Sequence, residues 1–181
     1  MALPKVRVVG LGNVLMGDDA VGPWVIEELL ANWEFPENVE VVDVGTPGLD
    51  LVPYVGGADI ILIVDTVKSD GPPGRIRVYE REQLLARPAE PRLSPHDPGL
   101  KEVLFALTLA GSAPEDVVLV GVVPGAVKMG VGLSPAVQEA VPRAAAALVE
   151  RLTSLGFAPR QRADAIPPSP WWEKSVALSS P

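Results

Sequence analysis

Strands alternating with helices from the amino end to about residue 155 predict an α/β fold, a three-layer sandwich with a mostly parallel twisted sheet covered by helices on both faces. Three observations carry this expectation. Short β-branched runs recur as KVRVV, VEVVDV, IILIV and VVLVGVV, at residues 5–9, 39–44, 60–64 and 117–123. Segments with apolar residues at helical spacing separate several of them. IILIV has no polar position at all, so it belongs at the sheet centre with both faces covered.

The elements follow in order. Lys5 to Val9 is a buried strand that runs into the Gly10-Leu11-Gly12 turn. A helix then starts near Pro23, where a missing N–H does least harm, and continues to Asn32. Val39 to Val44 is the second strand and ends in Gly45-Thr46-Pro47-Gly48. Leu49 to Tyr54 reads as a short helix stopped by Gly56-Gly57, and Ile60 to Val64 as the central strand, with Asp65 at its carboxyl end. Arg75 to Tyr79 (RIRVY) alternates charged and apolar residues, as a half-exposed or edge strand does. A Pro-rich loop, Arg87 to Pro98, precedes a helix from Leu100 to Leu109, the strand Val117 to Val123, and one long Ala-rich helix from Pro135 to Leu155. Residues 1–157 are expected to form one domain. Residues 158–181, rich in Pro and Ser, are expected to lie outside the core as a tail.

Composition excludes several functions. A net charge of −8 and the lack of a basic stripe argue against a nucleic-acid partner. With no cysteine, disulfides, thiolate catalysis and Cys-based zinc sites are excluded. No stretch approaches the roughly 20 apolar residues that span a bilayer, and the start lacks a signal-peptide layout. No membrane association and a cytoplasmic location are therefore expected. A single histidine rules out H-E-x-x-H zinc proteases, and no G-x-S-x-G elbow occurs.

Four features remain as carriers of chemistry. Gly10 and Gly12 resemble the start of a dinucleotide fingerprint, but Leu15 stands where the third glycine belongs. Asp18 and Asp19 would moreover repel a pyrophosphate at the helix entrance. These two acids suit helix capping, or one caps while the other faces a cleft. Asp65 follows five apolar residues, where an unpaired charge is costly, so it needs a turn role, a metal ion or a histidine partner. His96, the sole imidazole, lies between Pro95 and Pro98 in a stiffened loop; a solvated bystander is the plain alternative. Two carboxylates and one imidazole would suit a borderline divalent ion with positions open for water or substrate. Gly45-Thr46-Pro47-Gly48 is either a plain turn or a surface for a substrate peptide.

Taken in order, VVGLGNVLMGDDAVGPWVIEEL, DVGTPGLDL, ILIVDTV, SPHDPGL and LVGVVPGAVKMGVGLSPAV resemble segments of the hydrogenase maturation endopeptidases. These are nickel-dependent proteases that trim the large subunit of nickel–iron hydrogenases. The resemblance covers most of residues 5 to 155. It implies that Asp19, Asp65 and His96 are the metal-contacting and catalytic residues, and that Gly45, Thr46, Pro47 and Gly48 bind substrate. Many relatives carry glutamate at the first acid, so Asp19 reaches one methylene less. The implied partner is the large-subunit precursor, which brings nickel with it and loses a C-terminal peptide; other divalent ions are expected to enter the same site. Two alternatives stay open: a non-catalytic metallochaperone or assembly module of the same fold, and a protease acting on another precursor.

Overall fold

The computed structural model describes residues 3–47, 51–86 and 97–173. Its central sheet has five strands: β1 (Val6–Leu11), β3 (Val39–Gly45), β4 (Ile60–Thr66), β5 (Ile76–Glu80) and β6 (Asp116–Val122), in the order β3-β1-β4-β6-β5. All pairs are parallel except β5 with β6. The apolar run 60–64 therefore sits in the middle, as expected, and the alternating segment RIRVY supplies the antiparallel edge.

Period-two alternation sends successive residues to opposite faces. Val6 and Val8 of β1, Leu62 and Val64 of β4, and Val118, Val120 and Val122 of β6 pack with the helices α1 (Val21–Asn32) and α6 (Val141–Ser154). Val9, Leu11, Ile61, Ile63, Val117 and Leu119 pack on the other face. There they meet Val55 of α2 (Val52–Val55), Leu84 of α3 (Arg81–Ala86), and Val103, Leu104 and Leu107 of α4 (Asp97–Leu109). The three-layer arrangement follows. No helix among the described residues is long and apolar enough to cross a membrane.

Three elements differ from the sequence reading. The Ala-rich helix is broken into α5 (Pro135–Gln138) and α6, because Pro142 has no N–H to offer the carbonyl of residue 138 and its ring crowds that carbonyl. Helix α4 starts at Asp97 rather than Leu100, with Pro98 in its first turn, where proline is tolerated. Helix α3 had no strong periodic signal and was not expected.

The tail is the largest correction. Past α6 the chain forms a two-residue strand, β7 (Arg160–Gln161), paired antiparallel with β2 (Trp33–Glu34). It then covers the carboxyl end of α1. The Arg162 guanidinium donates to the Leu30 carbonyl at 3.1 Å, the Arg162 N–H to Asn32 at 2.8 Å and the Ile166 N–H to Ala31 at 3.2 Å. These are carbonyls that a helix end leaves without intrahelical partners. Trp172 is 2% exposed and packs edge-on against Trp24 of α1, with ring centroids 5.6 Å apart, whereas Trp171 stays largely in solvent. The described part of the tail thus belongs to the body. An aromatic anchor of this kind has no periodicity by which its docking place could be read from the chain.

Candidate active site

The carboxyl ends of β1, β3, β4 and β6 lie along one edge of the sheet, where loops of open α/β folds build their sites. The Gly10-Leu11-Gly12 segment is there for packing. A Cβ on Gly12 would collide with the Asp19 carbonyl oxygen, and its φ of 144° is one that side-chain-bearing residues avoid. Gly22 of α1 lies against the Leu11 backbone in the same close crossing. These glycines let the 3₁₀ turn Gly17–Ala20 sit directly on the end of β1.

That turn sends its two buried aspartates in different directions. Asp18, 1% exposed, accepts four hydrogen bonds from the β6–α5 connection: Gly125 N–H at 2.7 Å, Ala126 N–H at 2.9 Å, Ser134 N–H at 2.6 Å and Ser134 O–H at 2.8 Å. Burial, the largest single influence, pushes the Asp18 carboxyl upward. The bonds from Ser134, Ala126 and Gly125 together outweigh it and hold the group below the ordinary 3.8. Neither acid caps α1, whose N-cap, Ala20, makes no side-chain bond. The capping expectation gives way to a clamp that closes a loop more than a hundred residues away.

Asp19, 4% exposed, accepts the Asn13 N–H at 2.9 Å and, on its other oxygen, the Thr66 hydroxyl at 3.2 Å. Asp65, 1% exposed, accepts the Thr66 N–H at 2.7 Å, and the same hydroxyl lies 3.5 Å from that oxygen. Two acids 46 residues apart in sequence are thereby brought around one threonine side chain. Their oxygens, gathered at the carboxyl edge of the sheet, are of the type that suits a hard or borderline divalent ion. His96 lies outside the described residues, and among the described residues no cluster of three or more His, Cys, Asp or Glu side chains assembles.

The turn after β3 shares this edge. The Gly12 N–H donates to the Gly45 carbonyl at 2.9 Å, and Gly45 takes a φ of 66°, held by its own N–H donating to Asp43 at 3.0 Å. Thr46 is exposed and Pro47 half-buried beside it; Gly48 lies outside the described residues. Asp43 itself is pushed above the ordinary 3.8 by burial and by the Glu27 carboxylate on α1, partly offset by the Gly45 N–H. Thr66 and the Asp18–Ser134 clamp were missed in the sequence. A threonine after an aspartate at a strand end looks like a turn residue, and no local pattern links positions 18 and 134.

A family model described as hydrogenase maturation protease matches residues 23–151. The hydrogenase expression/formation protein HupD of Thiocapsa roseopersicina is 32% identical over 168 residues, covering 92% of this chain and 76% of its own length. The hydrogenase 2 maturation protease of Escherichia coli (strain K12) is 34% identical over 135 residues, covering 74% of this chain and 82% of its own. Among solved structures, the hydrogenase maturating endopeptidase HybD from E. coli aligns with a TM-score of 0.80 at 30% identity, over 88% of this chain and 99% of that one. A [NiFe] hydrogenase maturation protease from Thermococcus kodakarensis aligns with a TM-score of 0.66 at 26% identity, over 82% of this chain and 98% of that one. With its carboxyl-edge acids, its three-layer fold and these matches, the chain belongs to the hydrogenase maturation protease family.

Proposed function

We infer that this peptidase removes a C-terminal peptide from the nickel-loaded precursor of a nickel–iron hydrogenase large subunit, and that Asp19, Asp65 and His96 receive the nickel the precursor carries. The observation that supports this most is the meeting of two buried carboxylates, Asp19 and Asp65, at the carboxyl edge of the sheet. Asp65 is fixed by the N–H that follows it and Asp19 by the N–H of Asn13, so both present oxygens from held positions rather than from mobile surface side chains. An imidazole from His96 would complete the mixed oxygen and nitrogen set. A bound divalent ion supplies Lewis acidity to a carbonyl or to water. The protein's part is to orient the ion-bearing segment against the scissile bond, with a carboxylate able to take a proton from attacking water. Nickel serves as the selector of loaded precursor more than as the hydrolytic catalyst. The Gly45-Thr46-Pro47-Gly48 turn, beside Gly12 and partly exposed, is the proposed rest for the precursor backbone.

Incubating the protein with nickel-loaded precursor, and with precursor lacking nickel, should release a C-terminal peptide detectable by mass spectrometry only in the first case. Tight binding of the loaded precursor without any released peptide would favour the assembly-module reading. Cleavage that ignores nickel would remove the role assigned to the three residues.

A further inference from the structure

We propose that Thr66 is a positioning residue for the carboxylate pair, its hydroxyl holding Asp19 and Asp65 at the spacing that receives a divalent ion. The proposal rests on the reading that these two acids are ion ligands. Thr66 is 1% exposed, on the central strand, with a hydroxyl 3.2 Å from Asp19 Oδ1 and 3.5 Å from Asp65 Oδ1. A hydroxyl has one proton to donate, so it bonds one carboxylate at a time and turns between them. The two acids are not held alike. Asp65 also has the Thr66 N–H at 2.7 Å, a bond that any residue at position 66 except proline would provide. Asp19 comes from a different element, and the Thr66 hydroxyl bonds it to β4 at 3.2 Å.

Removing the hydroxyl while keeping the shape puts a methyl group against two buried carboxylate oxygens. The link between them through position 66 is then lost, and the ion must set their spacing with less help from the protein. Groups that orient metal ligands in this way change affinity by about 10- to 100-fold when removed. The short Asp19 side chain makes the tie more important, because a carboxylate with one methylene fewer has less reach with which to correct a misplaced backbone.

The test is calorimetric titration of the full chain with nickel chloride, comparing wild type, Thr66→Val, Thr66→Ser and Asp65→Asn. The expected result is about a tenfold weaker affinity for Thr66→Val, wild-type affinity for Thr66→Ser, and no measurable uptake for Asp65→Asn. Thermal melting accompanies each titration, and Thr66→Ala serves if the valine variant does not fold. Wild-type affinity in the valine or alanine variant would overturn the proposal while leaving the ion-ligand reading in place. Equal loss in the serine variant would also overturn it, since packing rather than the hydroxyl would then be the cause. If wild type takes up no nickel, or Asp65→Asn takes it up as well as wild type, the ion-ligand reading fails and the proposal with it. A steady-state assay on loaded precursor adds a second readout: Thr66→Val should raise KM with kcat little changed, and a fall in kcat alone would count against a positioning role.

Discussion

Asp18 and Asp19 are adjacent, both aspartate and both buried, yet the molecule uses them in opposite ways. Asp18 is surrounded by donors from a single loop, three of them rigid backbone or hydroxyl groups of Ala126 and Ser134 and the fourth from Gly125. Its charge is stabilised in place, and the ionised form is favoured over the neutral one. Asp19 faces a second acid across one rotatable hydroxyl. A carboxylate whose charge is fully hydrogen-bonded by the fold is part of the architecture. One that shares a single hydroxyl with another carboxylate is the kind proposed to receive a cation. Burial by itself does not separate the two cases; the neighbours do.

The sharpest way to break this contrast is to remove the acids on the Asp19 side. Asp19→Ala, Asp65→Ala and His96→Ala should each reduce precursor processing at least about a hundredfold, the scale of losing an ion ligand or a group that stabilises developing charge. In the two aspartate variants melting temperature should change by only a few degrees, because relieving repulsion offsets the lost hydrogen bonds. Near-normal peptide release by the Asp65 variant, followed by mass spectrometry, would refute the assignment.

Trp172→Ala provides the converse, a loss of stability far from the carboxyl edge. Its buried ring lies on Trp24, so the cost should be about 3 kcal/mol in a denaturant titration. Processing per folded molecule should stay as in wild type. Trp171→Ala, by comparison, should cost well under about 1 kcal/mol, since that ring is mostly in solvent.

Asp18→Asn should cost about 2 kcal/mol, since an amide cannot accept from all four donors and turns its own N–H groups toward some of them. The pH dependence gives the sign. The folded carboxyl lies below the ordinary 3.8, so the stabilisation is complete above that value and is lost as pH falls through the lower folded value. Wild type and Asp18→Asn should therefore converge in stability in strong acid. A gap that stays constant down to that pH would mean that the clamp is not electrostatic.

The smallest effect is expected at Asp43, whose folded carboxyl is raised by burial and by Glu27. Its neutral form adds stability that is fully present below the ordinary 3.8 and is lost as pH rises through the higher folded value. Asp43→Asn should accordingly stabilise the protein at neutral pH by less than about 1 kcal/mol after solvent screening, with no gain in acid. Its amide oxygen can still accept the Gly45 N–H, so the turn should keep its shape. Equal melting temperatures at neutral pH would show that neither burial nor the Glu27 charge penalises the ionised Asp43.

Much of this molecule was legible in the residues. Uninterrupted β-branched runs admit only buried strands, and the lack of any polar residue in 60–64 required the central place that β4 holds. The alternation in RIRVY marked a half-exposed or edge strand. Asp65 was marked by its position after five apolar residues, since a charge at the rim of a core needs a reason. The break before α6 was also written in the chain, in Pro142, although a strong Ala-rich pattern concealed it.

What the chain order alone decided ends there. Which of two adjacent aspartates closes a loop and which meets Asp65 depends on partners at positions 125, 126 and 134 for one and at 66 for the other, and only the packed sheet brings those partners near. The fate of the tail was decided in the same way. Its Pro- and Ser-rich composition describes how it behaves alone, whereas the open carbonyls at the end of α1 and the face of Trp24 determine where it goes. Hydrophobic period is a local property and can be read in a window of residues. The complementarity of a carboxylate, a hydroxyl or an indole with a distant surface exists only once both sides have folded.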